Sequence, residues 1–138
     1  MNDKQMTLDE LKKQIREFRE ARGWSCQNLK DCAISLGLEA SEVLELFQWV
    51  ESDEVRNNKK LKEAVGEELA DVLWWVVVMA DELGMEVAEV FEQKQKKREK
   101  KYGLEEFGKE IDKKKKKKAY YLLKARTRGG HPLAEEER

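Results

Sequence analysis

The sequence predicts an all-α chain, and three observations carry that prediction. Of its 138 residues one is proline and eight are glycine, so few positions interrupt a helix. Apolar residues recur at three- and four-residue intervals up to Lys101, the period of helices with a buried face. Helix start and stop signals bracket these stretches.

The first element opens on Thr7-Leu8-Asp9-Glu10, which reads as a capping box. Leu8, Leu11, Ile15 and Phe18 follow at helical spacing and Gly23 supplies a stop, giving a helix over about residues 8–22. Residues 24–28 form a short connection, with Asn28 as the next N-cap. The second helix covers about 29–50, with Leu29, Ala33, Leu36, Ala40, Val43, Leu44 and Phe47 as its apolar stripe. Residues 52–60 are polar, contain Asn57-Asn58, and read as a loop. The third helix, about 61–83, carries Leu61, Val65, Leu69, Val72, Val76 and Leu83 on one side and stops at Gly84. The fourth, about 86–101, is apolar only at Val87, Val90 and Phe91 before turning basic. These four helices make a core domain, residues 1–103, followed by a charged extension, 104–138. In the extension Lys113 to Lys118 form an unbroken block that repels itself and stays solvated. Residues 119–125 suit a short helical turn, and the end from Gly129 reads as a frayed tail.

Residues 72–80 of the third helix are apolar on every side, and such a helix must be buried all round. A chain this small does not easily cover both sides, which predicts a homodimer or homotetramer. With 28 basic and 29 acidic residues the net charge is −1, so the basic footprint of a nucleic-acid binder is missing. The lysine block is the local exception, and with it a nucleic-acid contact by the tail. Cys26 and Cys32 fit neither a zinc spacing nor a disulfide framework and read as two reduced thiols. The N-terminus lacks a signal peptide's basic and apolar regions, and the longest apolar run is too short for a membrane span. The expectation is a cytoplasmic protein with no membrane contact.

Four acids are placed unlike the rest. At about 100° per residue, Glu39 and Glu42 share one flank of the second helix's stripe, and Trp49, seven residues on, returns to nearly the same direction. On the third helix Glu68 lies about 60° from the stripe's centre. Asp71 follows one turn on, and Trp75 one turn after that. Carboxylates crowded at the edge of a core repel one another unless a cation cancels their charge. Oxygen-only donors favour Mg²⁺ or Mn²⁺ over zinc, and carboxylate-held Mg²⁺ is the usual partner of a substrate phosphate. Ordinary solvated acids making i,i+4 pairs are the other reading, and the spacing alone leaves both standing.

Glu39-Ala40-Ser41-Glu42 and Glu68-Leu69-Ala70-Asp71, with 25 residues between them, match the E-x-x-E…E-x-x-D signature of the all-α nucleotide pyrophosphohydrolase superfamily, which includes the MazG-like proteins. EASEVLELFQW (39–49), EELADVL (67–73) and FREARGW (18–24) resemble its dCTP pyrophosphatase branch. The resemblance covers about residues 8–102. It implies hydrolysis of a nucleoside triphosphate to monophosphate and pyrophosphate. It further implies Mg²⁺ on Glu39, Glu42, Glu68 and Asp71, with Trp24 and Trp49 walling the base pocket. Trp75 sits where the branch often has an aromatic residue, which implies a base or sugar contact, a core or interface role being the alternative. Residues 94–102 resemble a K-x-x-x-N-x-x-R-Y segment: Lys94 and Tyr102 match, while Arg98 and Lys101 replace the asparagine and arginine. Gly103 stands where a proline is common, and Ile15 where dCTP-selective members tend to carry histidine. These departures bear on base preference and not on reaction class.

The chemistry so implied is attack on the α-phosphorus by a water that Mg²⁺ activates, with pyrophosphate leaving. Glu39 or Glu42 is the candidate to orient that water, and Glu45 reads as a surface residue. Trp49 lies two helical turns beyond Glu42, roughly 10 Å along the axis, which suits a base on the ring and phosphates on the acids. Lys94, Lys97, Arg98 and Lys101 form a basic face directed at solvent or at phosphates. His131 stands alone in the tail with no catalytic partner, and neither acidic helix holds the E-x-x-H pair of a di-iron bundle. Two other readings stand beside this one: an oligomeric helical interaction module with a basic tail, and a dUTP-preferring or broad-specificity relative.

Overall fold

The computed structural model describes residues 4–24 and 28–127, and their regular structure is wholly helical. Seven helices follow in order: α1 (Leu8–Glu20), α2 (Leu29–Leu46), α3 (Ser52–Asn57), α4 (Lys59–Glu82), α5 (Val87–Lys101), α6 (Leu104–Phe107) and α7 (Lys113–Thr127). Cys26, His131 and the glycine-led tail lie outside the described residues. Among the described residues no helix is long and apolar enough to cross a membrane. The chain divides into two units, Met1–Val90 and Phe91–Arg138.

In the first unit α4 is the element against which α1, α2 and α3 all pack. Its core joins Ile15 of α1, Cys32 of α2 and Val77 and Val78 of α4, with Leu11, Trp74, Trp75 and Met79 around them. Full burial of such a valine contributes about 1.5–3 kcal/mol. Phe18 meets Trp74 edge to face at 5.2 Å. Val55 is buried where α3 packs on α4. The predicted caps are present. Thr7 and Glu10 form the reciprocal box, and the Asn28 side chain accepts from the Lys30 N–H at 3.0 Å. Gly23 and Gly84 take positive φ, +68° and +64°, as the turns ending α1 and α4 require. At Gly84 the Met85 N–H reaches the Ala80 carbonyl while the Gly84 N–H reaches Asp81, a Schellman closure.

Cations of α1 secure the far end of α4. Arg16 pairs with Asp81, buried Arg19 with Glu82, and Lys12 with Glu86 just beyond. Asp81 and Glu82 lie in the last turn, where the helix dipole disfavours negative charge, so the α1 cations offset that as well. Arg19 is 5% exposed and also donates to the Trp24 carbonyl at 3.0 Å.

Several boundaries differ from those the sequence predicts. The second helix ends at Leu46, where the Phe47 and Gln48 N–H groups turn back to the carbonyls of Leu44 and Glu45. The polar stretch taken for a loop contains α3, and Asn58 caps α4 from Lys59. The α4 stripe expected to face the core is only partly covered: Leu69, Val76 and Leu83 are exposed and Leu61, Val65 and Val72 half-buried, while the buried residues are Val77, Val78 and Ala80. Both sides of this helix are apolar, so periodicity alone could not say which side α1 and α2 would take.

In the second unit the Tyr102 ring meets Phe107 edge to face at 5.1 Å, and α6 packs on α7. The lysine block is exposed, apart from half-buried Lys116, but it is helical and opens α7. The Asp112 carboxylate accepts from the Lys114 N–H at 2.8 Å and caps that helix, a start signal that the charge run obscures.

Arg16, by hydrogen bond and then by charge, holds the Asp81 carboxyl below its ordinary value. A lowered acid contributes stability in full above its unfolded pKa, about 4, and loses it as pH falls through the lower folded value. Arg16→Gln should therefore be less stable than the parent at neutral pH and show a shallower loss on acidification below pH of about 4. Urea melts across that range check this, and parallel curves would refute it.

Candidate functional site

The less exposed residues of α2 are Cys32, Ser35, Leu36, Glu39, Val43 and Leu46. They fall within an arc of about 100° on the helix, the side toward α4. Glu39 lies inside this packing face and not on its flank, while Ala33, Ala40 and Leu44 of the expected stripe are exposed. The stripe read from the sequence is thus rotated away from the contact that forms, because small Cys32 and Ser35 admit α4 where larger apolar side chains do not.

Glu39 and Glu42 of α2 and Glu68 of α4 each bring a carboxylate oxygen within 4.8 Å of the other two. Glu39 and Glu68 are half-buried and Glu42 is exposed. The Trp75 indole N–H, from α4, donates to Glu39 Oε1 at 3.3 Å. Burial first, then the charge and hydrogen bond of Glu42, and then Asp71 and Glu39, push the Glu68 carboxyl above its ordinary value. Among the described residues none of the ion pairs reaches these three acids.

This donor set suits a hard divalent cation. It offers oxygen alone, in three carboxylates, at nearly the right spacing. Oxygens side by side on Mg²⁺ stand about 3 Å apart, and those on opposite sides about 4.2 Å, at its usual bond length, so the three carboxylates would draw closer to hold one ion. Zinc would call for nitrogen or sulfur donors. Asp71 is exposed and stands outside the trio. It lies near enough to raise Glu68 electrostatically, but its side chain is one methylene shorter.

The expected aromatic walls have different settings. Trp24 is half exposed and meets Phe18 edge to face at 6.1 Å. Trp49 is 87% exposed in the turn after α2. Since α2 ends three residues earlier, the two-turn spacing from Glu42 is not realised. Trp75, expected at a base or sugar or else in a core or interface role, packs against the core and also donates to an acid, a contact that the interlocking of α2 and α4 creates and the sequence does not display. Lys94, Lys97 and Arg98 are exposed, and Lys101 and Tyr102 half-buried. Arg98 lies over the Phe91 ring at 5.9 Å, and the Lys101 ammonium over the Tyr102 ring at 5.5 Å.

A family model described as the MazG-like family matches residues 34–118. Among solved structures, the crystal structure of a pyrophosphatase from Archaeoglobus fulgidus is 36% identical, with 70% of this chain and 92% of that chain covered and a TM-score of 0.63. A comparison with curated proteins found no match.

Without a cation the crowding of the trio opposes folding. A carboxyl raised in the folded state disfavours that state more as pH rises past its unfolded pKa, about 4.3. In EDTA, Glu68→Gln should melt higher than the parent, with the gap widening from pH of about 4 toward neutrality. A variant that melts lower throughout would show that the acids do not oppose one another.

Proposed function

The chain belongs to the MazG-like family, and on that premise we propose that it is a divalent-cation-dependent nucleoside triphosphate pyrophosphohydrolase. The observation that carries this reading is the convergence of Glu39, Glu42 and Glu68 from two packed helices without a protein cation among them. Glu39, Glu42 and Glu68 would hold Mg²⁺ or Mn²⁺, with Asp71 one turn beyond as a fourth acid. The cation, when bound, neutralises triphosphate charge and activates the attacking water. The protein's own share is to hold the carboxylates together and to keep Lys and Arg out of their midst. Exposed Glu42 is the acid best placed to orient the water, since Glu39 is engaged by Trp75 and Glu68 is half-buried.

Trp24 and Trp49, both with open ring surface, supply the base contact in this reading. For Lys94, Arg98, Lys101 and Tyr102 as substrate-binding residues, the support is the resemblance of residues 94–102 to the family's segment. The resemblance of residues 18–24, 39–49 and 67–73 to the dCTP pyrophosphatase branch supports dCTP as the preferred substrate, and Ile15 is a departure from that branch. The exposed row of Leu69, Leu73, Val76 and Leu83 on α4 supports a homo-oligomer, because an apolar row left open in one chain is the kind of surface a second copy covers.

Two measurements check these readings. The protein should release pyrophosphate from at least one member of a panel of nucleoside and deoxynucleoside triphosphates with Mg²⁺ and none in EDTA. Glu42→Gln should lower kcat by about 100-fold or more. Absence of turnover across the panel would end the enzymatic reading. In sedimentation velocity the parent should run as a dimer or tetramer, and Leu69→Lys with Leu73→Lys should shift it to monomer. A monomeric parent would leave the stripe unexplained.

A further inference from the structure

We propose that Trp75 is a positioning residue for Glu39, fixing that carboxylate for a cation rather than contacting the nucleotide. The inference rests on the reading of Glu39 as a cation ligand and adds to it the group that orients it. The Trp75 indole N–H donates to Glu39 Oε1 at 3.3 Å, and both side chains are half-buried at the joint of α2 and α4. Trp75 packs against the core formed by Ile15, Cys32, Val77 and Val78. A ring held by the core cannot swing freely, so its N–H has a fixed direction. Glu39, anchored through Oε1, keeps Oε2 as the oxygen free of that contact.

The chemistry of the donor explains why a tryptophan serves here. A carboxylate left without a hydrogen bond in a half-buried setting samples several rotamers, and ordering it on binding costs entropy. Lysine or arginine would order it, but would also cancel the negative charge that attracts a divalent ion. Indole donates one hydrogen bond and carries no charge. It holds the acid in place and leaves the charge intact. This is the role that neighbours of metal ligands play in general, where their loss weakens metal binding about 10–100-fold. Trp75 also lies on the same helix as Glu68, so one contact from α4 sets the α2 acid relative to the α4 acid.

The test is Trp75→Phe, which keeps an apolar ring and removes the N–H. Mn²⁺ binding to the full chain without nucleotide, followed by electron paramagnetic resonance of the free ion, should weaken about tenfold. In turnover with Mg²⁺, kcat should fall while the KM for nucleotide holds. A parent that binds Mn²⁺ with a variant that binds it equally well would overturn the proposal and leave the enzymatic reading intact. A raised KM with unchanged Mn²⁺ affinity would overturn it too and make the ring a substrate wall. A parent that binds no Mn²⁺ would remove both readings together. A second measurement does not depend on the Phe variant folding. In ¹⁵N-labelled parent, one indole N–H resonance should move both with Glu39→Ala and with added Mg²⁺, and indole resonances indifferent to both would refute the contact.

Discussion

The structure depends on one awkward joint, the place where α2 and α4 press together with carboxylates between them. Packed helices run about 8–10 Å apart, so acids on facing sides cannot avoid each other. Glu39 lies within the α2 packing face and Glu68 meets it from α4, with Glu42 completing the group inside 4.8 Å. Burial and mutual repulsion both act against these charges, and the raised Glu68 carboxyl records the conflict. The apolar contacts of Cys32, Val77 and Val78 hold the helices together in spite of it. A divalent ion would turn the same arrangement from a cost into a ligand set, at the expense of stability in the empty protein.

The α4 helix has to satisfy three demands at once, and its composition reflects them. One side takes the packing of α1 and α2 through Val77 and Val78. A second presents Glu68 and Trp75 to the acids of α2. A third carries Leu69, Leu73 and Val76, all of them exposed. An all-round apolar segment with carboxylates toward one end has no solvated face to spare, so the ordinary division of a surface helix into wet and dry sides does not apply.

Much of this was written plainly in the sequence, and what was not has physical causes. Thr7, Asn28, Gly23 and Gly84 act where local rules place them, since a cap needs only its own few neighbours. Paired spacing on two helices singles out four acids without saying whether they are merely solvated, and the structure brings three of them, Glu39, Glu42 and Glu68, together with Asp71 outside. The facing side of α2 was not, because Cys32, Ser35 and Glu39 make the contact and none of them counts as strongly apolar. Trp49 was misplaced for a related reason. The apolar pattern continues through Phe47 to Val50, but the helix itself turns off after Leu46. Asp112 as a cap was hidden by the lysines after it, whose mutual repulsion and position at a helix start both argue against a helix. The hydrogen bond from Trp75 to Glu39 joins residues 36 positions apart, and no local pattern announces it.

The two acidic groups on α4 are treated differently by the chain. Asp81 and Glu82 are each matched by an arginine of α1, so the chain has the means to neutralise acids on this helix and uses them. Those arginines cannot serve Glu68. Thirteen steps of helix separate it from Asp81, about 20 Å at the usual rise, while charges in physiological salt are screened beyond about 8 Å. Compensation for the trio must therefore be local. The residues that surround it locally supply a neutral indole donor and a further acid, Asp71, rather than a cation. The family match begins at Ile34, after α1, and contains every member of the acidic group. The α1 helix is in this sense a clamp on the far end of α4, and the charge left open at the near end is what a bound cation would offset.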